Sequence, residues 1–170
     1  MNEKVKKINP KLSRRIEKIV VNAGIGRLAT AQPNFNEKVL PELMKDFALI
    51  TGQKPVVRQA KKSIAGFKIR TGTIVGLKVT LRGQRMSQFL ERLAKIVLPR
   101  IRDFRGIDLK SIDQNGNLTF GIRENLVFPE VNPEVAKVNF GLEITIVPQS
   151  IKSREQAIAL YRDLSIPLKK

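Results

Sequence analysis

Ile74-Val75-Gly76-Leu77-Lys78-Val79-Thr80-Leu81-Arg82 is the stretch on which the fold turns. Leu77, Val79 and Leu81 alternate with Lys78, Thr80 and Arg82. Successive side chains of a strand point to opposite faces, so one face of this strand is apolar and the other polar and basic. Two further segments repeat the layout. Asn117 to Arg123 sets Leu118, Phe120 and Ile122 against Asn117, Thr119 and Gly121; Leu142 to Val147 sets Leu142, Ile144 and Ile146 against Glu143 and Thr145. Such alternation belongs to an antiparallel sheet with one covered face. Helices over the apolar face complete a two-layer α+β fold.

Working outward, Ile16 to Asn22 reads as a strand centred on Ile19-Val20-Val21. Ala23 to Gly26 turns the chain, and residues 27–35 read as loop. Val39, Leu40, Leu43, Met44, Phe47 and Ile50 keep the spacing of one helical face, with Gly52 as its stop. Pro41 suits only a first turn, so this helix either starts near Leu40 or is kinked there. Pro55 to Arg58 is a short strand, and residues 59–73 form an exposed basic excursion with Gly66 and Gly72. Residues 84–98 read as a helix that Pro99 ends, followed by an irregular basic stretch to the turn Asn115-Gly116. Ser153, with Gln156 three residues on, caps a last helix. Residues 1–14 read as a loose basic arm. The 170 residues suit one domain.

Charge is distributed unevenly. From Phe47 to Leu90 there is no Asp or Glu, yet nine Lys or Arg fall inside. The whole chain carries +17; residues 51–110 carry +12 of it, and residues 111–170 are neutral. Unbalanced charge repels itself, so this stretch implies a partner that supplies phosphates. The expected architecture is therefore an antiparallel sheet with helices packed on one face, the other face polar and facing nucleic acid (RNA, by the resemblance given below), plus the basic loop excursion. Zero Cys and zero His exclude disulfides, most zinc sites, thiol and Ser–His nucleophiles and histidine acid–base work. No catalytic residue, metal or cofactor is expected. With no Trp and one Tyr, aromatic stacking platforms are poorly supplied. No apolar run reaches the ~18–20 residues of a membrane span, and Met1 to Lys7 has no secretory apolar core. The expected compartment is the cytoplasm or an organelle matrix.

Three competing readings are weaker. Gly24-Ile25-Gly26-Arg27-Leu28-Ala29 has the spacing of a dinucleotide-binding turn, but Pro33 stands where the pyrophosphate helix should run and no acid follows for the ribose. Asp103, Asp108 and Asp113 read as loop residues pairing nearby arginines rather than a catalytic cluster. An anionic-membrane binder lacks an amphipathic helix with a strong basic face.

Several motifs in order carry a resemblance. They are Ile50-Thr51-Gly52-Gln53-Lys54-Pro55-Val56-Val57, Ala60 to Phe67, Ile74 to Gly83, Leu98-Pro99-Arg100-Ile101-Arg102-Asp103-Phe104-Arg105-Gly106 and Phe128-Pro129-Glu130. Over roughly residues 15–168 the chain resembles the family of the fifth large-subunit ribosomal protein, in its bacterial branch. The resemblance implies a structural protein of the central protuberance that binds 5S rRNA and 23S rRNA. It also implies contact with P-site tRNA and a bridge to a small-subunit head protein. By motif position, rRNA contacts fall on Asn22, Gln53, Thr80 and Arg82; Lys54, Lys61, Lys62, Ser63 and Lys78 of the basic window join them. The tRNA loop would be Phe67, Lys68, Ile69, Arg70, Thr71, Gly72 and Thr73. The charge pattern alone points to Lys78–Arg82 and to the excursion; Asn22 and Gln53 come from the resemblance. Departures from the family pattern are a shortened N-terminal helix, Arg58-Gln59 in place of a Thr-Arg pair, and Pro41.

Overall fold

The computed structural model describes residues 15–32, 34–134, 138–151 and 153–169; the arm expected over residues 1–14 lies outside them. The elements run β1 (Ile16–Gly24), α1 (Gly26–Ala31), α2 (Leu40–Thr51), β2 (Val56–Gln59), β3 (Ile74–Leu81), α3 (Gly83–Arg92), β4 (Leu118–Ile122), β5 (Leu142–Pro148) and α4 (Arg154–Asp163). The strands form one sheet in the order β2-β3-β1-β5-β4.

Every neighbouring pair is antiparallel. β2 and β3 pair Val56 with Lys78 and Arg58 with Gly76. Between β3 and β1, Arg82 bonds Glu17 at one end, while Gly76 lies against Ala23 at the other. Between β1 and β5, Asn22 bonds Glu143, and the Gln149 N–H reaches the Arg15 carbonyl. Between β5 and β4, Thr119 and Thr145 hydroxyls meet at 3.0 Å. The close spacing explains Gly76: a Cβ there would sit 3.2 Å from the Ala23 carbonyl oxygen.

The alternation holds in three dimensions. Ile19, Val21, Ala23, Leu77, Val79, Leu81, Leu118, Ile122, Leu142, Ile144 and Ile146 are buried, and the intervening Asn22, Lys78, Thr80, Thr119, Glu143 and Thr145 are not. Two compact units share the chain, one of residues 1–20, 80–120 and 144–170, the other of residues 21–79 and 121–143. Each boundary falls inside a strand. In the second unit Leu43, Phe47 and Ile50 of α2 are fully buried, and Phe47 stacks on Phe140 with ring centroids 6.3 Å apart. In the first, Met86, Phe89 and Leu90 of α3 and Ala157, Leu160 and Tyr161 of α4 are buried. Among the described residues no helix is long and apolar enough to cross a membrane.

Tyr161 ties the first unit together. Its hydroxyl lies 2.6 Å from the Gly116 carbonyl oxygen and 3.1 Å from that of Ile146. Burial pushes its phenol well above the usual tyrosine range, so it remains a donor. Gly116 has φ +82, and a Cβ there would lie 3.0 Å from both Ala157 and Ile151 side chains. The turn thus requires glycine both for its backbone and for its packing.

Three expectations change. Residues 27–35 are not all loop: α1 occupies Gly26–Ala31, and a π-helical turn, Phe35–Val39, leads into α2. Leu28, Ala29 and Ala31 are good helix formers. Pro99 does not end its helix, because a π-helical turn, Leu93–Val97, carries the chain on through Leu98–Arg100. Pro41 is handled in the same way. Leu40 and Leu98 each bond the carbonyl five residues back, Phe35 and Leu93. This wider turn relieves the clash a proline ring would make with the carbonyl four residues before it. Lastly, Asp108 accepts from the Lys110 N–H and Asp113 from the backbone and side-chain amides of Asn117, rather than pairing with arginines.

Tyr161→Phe leaves two buried carbonyls without this donor and should cost about 1–3 kcal/mol of stability in a denaturant titration; an unchanged midpoint would show that other donors reach them. Val79→Asp buries a carboxylate and should abolish the cooperative melt, whereas Lys78→Ala should shift stability by no more than about 0.5 kcal/mol. The reverse outcome would place Lys78, not Val79, on the core side.

Candidate RNA-binding surface

In the unit of residues 21–79 and 121–143, the polar side of the sheet is hollowed into a groove of about 700 Å³. Asn22, Arg58, Arg123 and Glu143 line it, together with Gly24, Gly76, Gly121 and Gly141. The pleat places these residues together: Arg58 sits across from Gly76, and Asn22 donates its amide N–H to Glu143 at 3.1 Å. Lys78 lies on the same side of β3, across from Val56. Gln53 and Lys54 follow the end of α2 and stand outside the groove lining. There the buried Thr51 hydroxyl bonds both the Phe47 and the Gln53 carbonyls.

The basic excursion is organised rather than loose. Ala60 and Gly72–Thr73 exchange backbone bonds, as do Ile64 and Ile69. Ser63 Oγ accepts from the Thr71 N–H at 3.0 Å and meets the Thr71 hydroxyl at 3.1 Å. Ala65–Phe67 forms a single 3-10 turn, and Lys68 takes a left-handed conformation, φ +53, to reverse the chain. Phe67 at the tip is 71% exposed, and Lys61, Lys62, Lys68 and Arg70 all face solvent. A large apolar ring held out on a basic hairpin is a surface feature that asks for a partner.

In the unit of residues 1–20, 80–120 and 144–170, Thr80 is half-buried on the polar side and Arg82 is exposed at the start of α3. The Arg82 guanidinium lies 3.1 Å from the Glu17 carboxylate. Lys18 first and Arg82 second hold the Glu17 carboxyl below its ordinary range. This pair is solvent-exposed and therefore weak, and a phosphate can take Arg82 from it.

Of the nine basic residues in the acid-free window, Arg82 alone has an ion-pair partner among the described residues. Within the unit of residues 21–79 and 121–143 the candidate contacts fall on the groove with Lys78, on the hairpin and on the end of α2; in the other unit they fall on Thr80 and Arg82. Arg123 and Glu143 escaped the sequence reading as contacts; the alternation of β4 and β5 gave their side of the sheet but not their approach to Asn22. The spacing Gly24-x-Gly26-x-x-Ala29 does connect a strand to a helix, but α1 is six residues long and Gly26 packs on the Val75 side chain. That arrangement lacks the long pyrophosphate-binding helix of a dinucleotide site. Among the described residues no group of acidic side chains could hold a metal ion.

Comparison with known proteins bears on the family of the chain. Residues 9–70 match the family described as Ribosomal protein L5, and residues 74–168 match the C-terminus of the same ribosomal family. The large ribosomal subunit protein uL5 of Halothermothrix orenii is 48% identical over 153 residues, covering 90% of this chain and 82% of that one. Those of an Anaeromyxobacter species and of Dichelobacter nodosus are 45% and 46% identical, covering 95% and 91% of this chain and 86% and 83% of theirs. The first family match ends within the basic hairpin and the second begins with β3, so the two halves adjoin in the order the fold requires, and the chain belongs to the ribosomal protein L5 family.

Proposed function

We propose that this chain, acting as one ribosomal domain, binds 5S rRNA and 23S rRNA in the central protuberance through the polar side of its sheet and its unpaired cations. The coarser role follows from the family: the chain is a structural, non-enzymatic constituent of the large ribosomal subunit, and so resides with the ribosome in the cytoplasm. The observation that carries the finer reading is the set of nine basic residues in a stretch without a single acid, eight of them without an ion-pair partner among the described residues. Lysine and arginine neutralise phosphates, while Asn22, Gln53, Ser63 and Thr80 supply hydrogen bonds to sugar, phosphate or base edges. Lys54, Lys61, Lys62, Lys78 and Arg82 are the cations assigned to rRNA.

The hairpin tip, Phe67 to Thr73, is assigned to P-site tRNA. Its exposure, its protruding aromatic ring and its basic flanks suit contact with a folded RNA. The bridge to a small-subunit head protein rests on the family resemblance.

If about six phosphates are contacted, log K for isolated protein and 5S rRNA should fall with log salt at a slope between about −4 and −6. A slope near zero would remove the phosphate-dominated mechanism. In intact ribosomes, trypsin should cut at Lys68 or Arg70 when the P site is empty and be blocked there when tRNA fills it. Equal cleavage in both states would take the hairpin out of the tRNA contact.

A further inference from the structure

Glu143 is an acid on a surface proposed to bind a polyanion. It projects from β5 into the groove that Arg58 and Arg123 flank, yet it pairs with neither among the described residues. Its partner is the Asn22 amide, Nδ2 to Oε1, at 3.1 Å. A carboxylate can only accept, so the bond fixes which way the amide is turned. The Asn22 nitrogen is engaged, and its oxygen is left as an acceptor without a partner among the described residues. Beside it, the second oxygen of Glu143 is also open. The couple therefore offers mostly acceptors, beside the second N–H of the Asn22 amide.

That chemistry selects its ligand. Phosphate is repelled by a carboxylate and attracted by the two guanidinium groups, so the backbone of a bound strand is steered to the arginines and away from the centre. What suits the centre is a neutral group rich in donors. Among RNA bases, guanine presents two adjacent donors, N1–H and the 2-amino group, which a carboxylate accepts together. Unpaired bases are read in this manner on their Watson–Crick edges. The groove is open, and its glycines hold no side chain between a base and the sheet.

Resting on the rRNA-binding reading above, we infer that Glu143, oriented by Asn22, reads the Watson–Crick edge of an unpaired guanine in the bound rRNA, with Arg58 and Arg123 holding the flanking phosphates. Asn22 Oδ1 accepts a further donor, such as a ribose 2′-hydroxyl. The assignment makes Glu143 a specificity residue and Arg123 a contact.

The sign of one substitution tests it. Glu143→Gln removes a negative charge from an RNA-facing groove while keeping an acceptor for Asn22. If Glu143 is a bystander, 5S rRNA should bind as well or more tightly. If it reads guanine, binding should fall by about tenfold, as for loss of one bidentate base contact, with the salt slope unchanged. Gly121→Val gives a second readout. A Cβ there has room, its nearest neighbour lying 3.9 Å away, so the fold persists while the groove is filled and binding falls. Thermal melts confirm folding of both variants. Interference mapping with 5S rRNA carrying inosine for guanosine, which lacks the 2-amino group, should show wild-type protein excluding inosine at one or a few positions. Glu143→Gln should lose that exclusion. Tighter or equal binding by Glu143→Gln, or inosine tolerated at every guanine, overturns the inference while leaving rRNA binding intact. Failure of the wild-type protein to bind 5S rRNA would instead overturn the reading beneath it.

Discussion

The constraint on which everything else rests is the two-residue period of β3. Leu77, Val79 and Leu81 are buried because every second side chain meets the core, and that same geometry carries Lys78 and Thr80 to the opposite side. A slip of one residue against β2 or β1 would bury a lysine and expose three large apolar groups. Registry is thus enforced by hydrophobic burial, at about 1.5–3 kcal/mol for each large aliphatic side chain. The hydrogen bonds between strands align the ladder, but the core decides which ladder forms. The polar surface is a by-product of that decision, and its cations are positioned without any attraction among themselves.

Those cations explain the division of labour along the chain. The neutral C-terminal third contributes core through α4, with its buried Ala157, Leu160 and Tyr161, while in the basic stretch β3 carries core and charge on opposite faces. The positive charge sits on a hairpin, a strand edge and the rim of a groove, where solvent screens mutual repulsion. A protein arranged in this way tolerates its own charge in isolation and gains from neutralisation on assembly with RNA. The exposed Arg82–Glu17 pair fits the same logic, since its weakness lets the arginine exchange partners.

Much of this was legible in the amino-acid order, and the failures have physical causes. Strands with one covered face announce themselves through alternation, as β3, β4 and β5 did. The short helix α1 did not, because six residues are too few to display a period, and none of them is buried. The hairpin of residues 60–73 was readable as exposed and basic but not as ordered, since its order comes from backbone bonds and from the Ser63–Thr71 pair, which leave no hydrophobic signature. Asn22 was invisible to composition and spacing; a single amide gains meaning from what lies across the strand, here Glu143. Of the prolines, Pro41 was read correctly as lying in a first turn and Pro99 misled. Pro99 reads as a terminator only if the helix is assumed to be regular.

The two wider turns before Leu40-Pro41 and Leu98-Pro99 also decide how a helix can be read. Along α3 and its continuation, buried side chains recur every fourth residue, Met86, Leu90, Ala94 and Leu98 in one column and Phe89, Leu93 and Val97 in the other. On a regular α-helix such columns would wind around the axis by roughly 40° at each step, because four residues overshoot a turn of 3.6. The extra residue held in the Leu93–Val97 turn takes up part of that overshoot, so the stripe stays straight enough to remain buried to its end. Removing one residue there would return the turn to the regular pitch and leave Leu98 near the face of Met86, since eleven residues at roughly 100° each make about three turns. The buried face would survive such a loss; what would go is the room that the wider turn gives the ring of Pro99.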